Sequence, residues 1–238
     1  EGVLGFAFTP DFLQKDNANQ FYVVYTYKDG QGDIYKKLVR YEYDAKAETL
    51  NNPVTILEKV PAGDDHEGSR LVYEPDGKLY WSLGELGHNQ FGNACKAIEA
   101  QRLPSSQEVA AKDWAAYVGK VLRINTDGTV PEDNPVLDGV KSHVFTYGHR
   151  NPQGLVFVGN NLYECEHGPS TDDELNLLVA GGNYGWPHVA GFQDDEAYVY
   201  ANYSAAKDCA NVKWDANVIP EGVPVQKESE WKAPGNFV

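Results

Sequence analysis

The chain has 238 residues, 42% of them hydrophobic, and 20 Lys and Arg against 35 Asp and Glu give a formal net charge of −15 at pH 7. Such a chain can bury a sizeable core as one large domain or part of one, and its acidic surplus argues against nucleic acid or an anionic membrane as partner, leaving a small or neutral ligand. No apolar run is long enough to span a bilayer and no charged-then-apolar leader opens the chain, so it reads as soluble.

Met is absent, and the opening residues 1–8 already lie inside a patterned apolar run. Both features lead us to expect a segment of a longer polypeptide from which a signal peptide is missing. Cys95, Cys165 and Cys209 are odd in number and lack CxxC spacing, so no zinc site is signalled and their pairing stays open.

Taken in chain order, short alternating runs rich in Val, Tyr, Phe and Trp are separated by turn residues, the pattern of an all-β protein. Residues 5–11 and 21–24 predict a first hairpin, and residues 38–41, followed by Asp44, an outer strand of the same unit. Residues 71–77 and 79–81 repeat the hairpin through a Pro75, Asp76, Gly77 turn. A helix is predicted over residues 108–117, with Ser105 and Glu108 in capping-box spacing after Pro104, as a surface insertion between strands. Residues 121–124 form another outer strand, again followed by an Asp, and residues 155–157 and 162–163 predict a third hairpin. This self-similarity points to four-stranded blades around a channel, a β-propeller with long insertions between blades. A β-sandwich is the competing architecture.

Loops at one end of a propeller converge on the channel mouth, so their polar residues are the candidates for function. His66 sits at a strand entrance between Asp65 and Glu67. Residues 148–154 (GHRNPQG) form a rigid polar loop from which Arg150 can donate a fork of hydrogen bonds to a ligand carbonyl or carboxylate, or else pin neighbouring loop carbonyls. Residues 164–174 and 181–187 supply carboxylates and Gly- or Pro-rich backbone, which suits calcium (Ca2+) and, equally, a solvated acidic loop. GxSxG, P-loop, HExxH and Rossmann signatures are missing.

These motifs together resemble the soluble glucose/sorbosone dehydrogenase family, whose members depend on pyrroloquinoline quinone (PQQ). The likeness rests on residues 2–8, Asp65 with His66, residues 87–90, residues 119–123, the 148–154 loop, Gly168 with Pro169, residues 172–174, 181–187, 200–206, 222–225 and 227–231. It implies a six-bladed β-propeller. Residues 1–238 would be roughly half of that single domain, its middle blades, with the N- and C-terminal blades and the segments that complete the quinone and sugar sites lying outside. Activity is therefore not expected of this segment alone.

The resemblance also implies the chemistry: oxidation of the anomeric hydroxyl of an aldose such as glucose to the lactone, with hydride transfer to PQQ. His66 would be the general base, Arg150 would stabilise the developing oxyanion, and Glu85 would orient the imidazole. Glu1, Asp65 and Gln90 match sugar-binding positions, and Asn151 joins Arg150 at the cofactor. The carbonyls of Gly168 and Pro169 would ligate the catalytic calcium, and Glu174, Tyr184, Ala190, Phe192, Asp194 and Glu228 match positions at further, structural calcium ions. Phe91 departs from the pattern, standing in place of a smaller apolar residue beside Gln90. An external electron acceptor, a periplasmic or secreted location and an optional homodimer come with the same resemblance. Rival readings are a non-catalytic propeller serving as a binding module and a calcium-dependent lactone hydrolase.

Overall fold

The computed structural model describes residues 2–14, 19–74 and 77–238. Glu1 and the Pro75 and Asp76 turn positions expected above lie outside them. Strands β1 (Val3–Phe8), β2 (Gln20–Lys28), β3 (Ile34–Asp44) and β4 (Thr49–Pro61) form a first antiparallel sheet in sequence order. Next come β5 (Gly68–Tyr73), β6 (Lys78–Leu83), β7 (Lys120–Asn125), a short hairpin β8 (Val136–Leu137) and β9 (Val140–Lys141), and β10 (Val144–Tyr147). Of these, β5, β6, β7 and β10 make a second four-stranded sheet in that spatial order. Strands β11 (Pro152–Val158), β12 (Asn161–Glu166) and β13 (Glu174–Leu177) make a third sheet, and β14 (Tyr200–Ala201) pairs with β15 (Val225–Gln226) beyond it.

The period-2 pattern explains how the sheets stack. In β6, Leu79 and Trp81 point to one face and pack with Tyr22, Val24 and Leu38 of the first sheet, whereas Tyr80 points to the other and packs with Leu155 and Leu162 of the third. Because both faces are buried, the second sheet is held between its neighbours, as a blade in a β-propeller is. Its residues therefore read as a continuous apolar run, Leu79, Tyr80 and Trp81, in place of a clean alternation. The innermost strands crowd one another. A Cβ on Gly5 of β1 would stand 2.1 Å from the Ser69 carbonyl oxygen of β5, so only glycine permits that approach.

The hairpins and outer strands expected from sequence are β1 with β2, β5 with β6, β11 with β12, β3 and β7. The helix differs. Ser105 and Glu108 make the expected capping box, but helix α1 spans only Ser106–Ala111 and stops where Lys112 turns left-handed at φ 56°. Residues 115–117 resume as a separate 3-10 turn, and Trp114 and Tyr117 are buried in the core between the first two sheets. Of the cysteines, Cys95 and Cys209 form a disulfide across 114 residues and Cys165 is free. No described helix is long and apolar enough to cross a membrane.

Candidate active site

A cleft of about 380 Å3 opens where loops between blades meet, and His66, Asp65, Gln90, Arg150, Pro169, Trp186 and Tyr198 are among the residues that line it. A larger recess against Glu42, Asp44, Asn51 and Asn52 holds none of the candidate residues.

His66 follows β4 and takes a left-handed backbone at φ 45°, an uncommon conformation outside glycine that persists where surrounding contacts enforce it. Those contacts are visible. The His66 carbonyl accepts from Leu86 N at 3.3 Å and lies so close to Gly84 that a Cβ there would meet its oxygen at 1.9 Å. On the ring, Nδ1 stands 2.5 Å from Glu85 Oε1, and Nε2 stands 3.3 Å from Gln90 Nε2 and 3.7 Å from Asp65 Oδ1. An ionised carboxylate only accepts, so Glu85 assigns the proton to Nδ1, and the lone pair of Nε2 faces Gln90 and the cleft. Glu85 is itself held, with Oε2 accepting from His88 N at 2.9 Å and only 1% of the residue exposed. Gln90 also donates to Asp65 Oδ2 at 3.1 Å, which joins the two expected sugar-binding side chains.

Glu67, expected to flank the imidazole, turns the other way. Its carboxylate pairs with buried Lys36 at 2.6 Å and accepts from Gly63 N at 2.7 Å, because an interior ammonium requires a counter-charge. Burial lowers the Lys36 pKa from its ordinary value and Glu67 opposes that shift.

Arg150 reaches the cleft from the 148–154 loop. One guanidinium nitrogen donates to the His167 carbonyl at 3.0 Å, the group lies 5.3 Å from the Trp186 ring centroid, and Nε is buried with no hydrogen-bond partner. Burial lowers its pKa, opposed by Glu85 and Glu166, yet a guanidinium remains cationic. The indole Nε1 of Trp186 is likewise buried without a partner. Both are unpartnered donors on residues that line one cleft, and such donors match acceptor oxygens. Of the two roles left as alternatives by sequence, the bond to the His167 carbonyl is loop-pinning, and Arg150 also lines the cleft.

The loop itself is fixed from below. Glu166 Oε2 accepts from the backbone N–H of Arg150 at 2.5 Å and of Asn151 at 3.2 Å, and Arg150 O accepts from Glu85 N at 2.9 Å. Asn151 Oδ1 accepts from Gly68 N at 3.2 Å, which places that side chain beside the strand that follows His66.

Of the expected calcium positions, Pro169 lines the cleft, and Gly168 is tightly confined: a Cβ there would stand 1.8 Å from the Thr171 carbonyl oxygen. Ala190, Asp194 and Glu228 come together, the Glu228 carboxylate accepting from Ala190 N at 3.0 Å, Asp194 N at 3.3 Å and Asp195 N at 3.0 Å. Phe192 lies in the same loop with its ring exposed. Glu174 is tied to that loop through Gly191 N at 2.8 Å. Tyr184 sits apart from them in the core, stacked on His149 with its hydroxyl donating to Leu177 O at 2.8 Å. Burial, with the Glu166 charge, raises Glu174 to about 7 and Glu164 to about 10.

Sequence reasoning missed Trp186, Tyr198, Tyr200 and Trp214 as cleft residues, and aromatic side chains in a tyrosine-rich β-protein carry no local mark of function. Tyr198 is half-buried and donates to the Pro187 carbonyl at 2.7 Å, and its pKa is pushed well up by desolvation. Phe91 and Trp214 pack in a tilted pair with centroids 4.1 Å apart, on segments that the Cys95–Cys209 disulfide joins.

Residues 1–234 match the family model described as Glucose / Sorbosone dehydrogenase. The chain is 46% identical over 245 residues to quinoprotein glucose dehydrogenase B of Acinetobacter calcoaceticus, covering all of this chain and 50% of that protein. Among solved structures it is similar to apo soluble aldose sugar dehydrogenase from Escherichia coli, with TM-score 0.62 and 28% identity over 79% of this chain and 50% of the other. It is also similar to the PQQ-bound aldose sugar dehydrogenase from Streptomyces coelicolor, with TM-score 0.57 and 33% identity over 79% and 49%. The chain thus spans about half the length of these relatives. With a family match over residues 1–234, this chain belongs to the glucose/sorbosone dehydrogenase family.

Proposed function

We propose that the full-length protein is an aldose dehydrogenase that oxidises the anomeric hydroxyl of a sugar such as glucose to the lactone with PQQ. The carrying observation is His66, its Nδ1 held by Glu85 and its Nε2 turned toward Gln90 on the side of a cleft that Arg150 enters from another blade. PQQ, when bound, supplies the two-electron acceptor. Arg150, through its unpartnered Nε, and Trp186, through its indole N–H, would hold the oxygen-rich quinone, and the carbonyls of Gly168 and Pro169 would hold calcium beside it.

A sugar entering the cleft meets Gln90 and Asp65, which are already hydrogen-bonded to each other and can bind hydroxyls as a pair. His66 Nε2 then takes the proton of the anomeric hydroxyl, and Glu85 stabilises the imidazolium that results. Arg150 stabilises negative charge as it develops on oxygen. An external electron acceptor completes turnover. The Cys95–Cys209 disulfide supports export to an oxidising compartment, the periplasm or the medium.

The test is dye-coupled oxidation of an aldose panel by the full-length protein, with and without PQQ and calcium. Activity requiring both additions is expected. Lactone hydrolysis with calcium alone, and no sugar-dependent dye reduction, would replace this reading with the hydrolase.

A further inference from the structure

Beneath the 148–154 loop three side chains that the oxidation does not use converge in the interior. His149, Glu164 and Glu166 are 0%, 1% and 7% exposed. One ligating atom from each lies within 4.8 Å of the other two. Glu166 is largely accounted for, by His149 Nδ1 at 2.9 Å and by the two backbone N–H groups of the loop. Glu164 is not. Its Oε2 accepts from Asn176 Nδ2 at 3.1 Å, but its Oε1 is buried with no hydrogen-bond partner.

Two interior carboxylates with one unpartnered oxygen call for positive charge, and among the described residues no Lys or Arg forms an ion pair with either. The imidazole is already aimed for ligation. Thr146 Oγ1 stands 2.9 Å from His149 Nε2 and the ring stacks on Tyr184, so its orientation is set by a second group, as it is for metal-bound histidines. We propose that His149, Glu164 and Glu166 bind a divalent first-row cation such as manganese or zinc. Mixed nitrogen and carboxylate ligands suit those ions, whereas calcium takes oxygen alone. Ligation through Nδ1 requires the Nε2–H tautomer: the ring proton moves from Nδ1 to Nε2, where Thr146 Oγ1 accepts it, so the imidazole ligates as the neutral base.

The site has a functional consequence. Glu166 holds the amides of Arg150 and Asn151, so a cation that fixes Glu166 also fixes the loop that carries Arg150 into the cleft.

Mn2+ is the probe, applied to metal-stripped full-length protein in excess Ca2+ so that oxygen-only sites are filled. Crystals grown under these conditions should show an anomalous difference peak between the three side chains. In solution, electron paramagnetic resonance of free Mn2+ should count one equivalent fewer bound by Glu164→Gln than by wild type, or binding at least ~10-fold weaker. Absence of the peak, or equal Mn2+ binding by the two proteins, would mean that Glu164 is neutralised by a proton and would overturn the proposal. If Glu164→Gln does not fold, the wild-type crystal decides alone.

Discussion

The Glu85 carboxylate stands 2.5 Å from Nδ1 of His66, and this contact decides which imidazole nitrogen can act as a base. The two residues are 19 positions apart, and Glu85 is almost fully buried while His66 borders open cleft. Such an arrangement separates the orienting group from the reacting one.

His66→Ala in the full-length enzyme should lower the rate of cofactor reduction by ~100- to 10,000-fold while leaving folding intact. Glu85→Gln should act through the same imidazole, so its effect and that of His66→Ala should be far from additive in the double variant. Single-turnover stopped flow measures both. An unchanged rate in His66→Ala removes the base from the mechanism.

Arg150→Ala should slow turnover by about 100- to 1,000-fold, the cost of losing one charge-stabilising donor, and should weaken PQQ as well. Trp186→Phe, which deletes the orphaned indole donor but keeps the ring, should weaken PQQ with a smaller effect on turnover. Cofactor titration by fluorescence quenching, set beside kcat, separates the two. Equal quinone affinity in both variants and wild type would show that these donors serve something else.

His143 provides a pH prediction. It is buried, its ring nitrogens contact Tyr117 Oη at 2.9 Å and the Gly128 carbonyl at 3.1 Å, and desolvation lowers its pKa from 6.5 to about 4. The unfolded chain therefore binds a proton that the folded one refuses as pH falls below about 6.5, and stability declines until about pH 4, where both forms are protonated. The loss is on the order of 3 kcal/mol at most. Urea unfolding of wild type and His143→Gln at pH 7 and 4.5 should show a steeper pH dependence in wild type. Parallel curves would contradict the assignment.

The disulfide supplies the fourth. Cys95 and Cys209 close a loop of more than a hundred residues, and their segments carry Phe91 and Trp214 of the cleft wall. Cys209→Ser should destabilise the protein by about 2–4 kcal/mol. KM for sugars should rise as well, since the loosened segments carry Phe91 and Trp214, which line the cleft. Thermal melts with and without reductant, and a KM comparison with wild type, provide the measurement.

By itself the sequence determined the all-β architecture, because strand periodicity, turn residues and the Ser105–Glu108 capping box are local properties that survive without tertiary context. It also marked His66, Glu85, Gln90 and Arg150, through motifs whose spacing is a property of the family. Only the tertiary structure decided what those residues do to one another. Glu67 neighbours His66 in sequence yet serves Lys36, whereas Glu85 lies 19 residues away and holds the ring. Helix α1 ended early where Lys112 turns left-handed, and Cys95 found Cys209 across 114 residues. Local propensity cannot encode such pairings, because the stacking of the sheets sets which side chains are left facing inward. Glu164 shows this most sharply: alternation along β12 sends it and Glu166 inward together, and only the neighbouring loop brings His149 within reach.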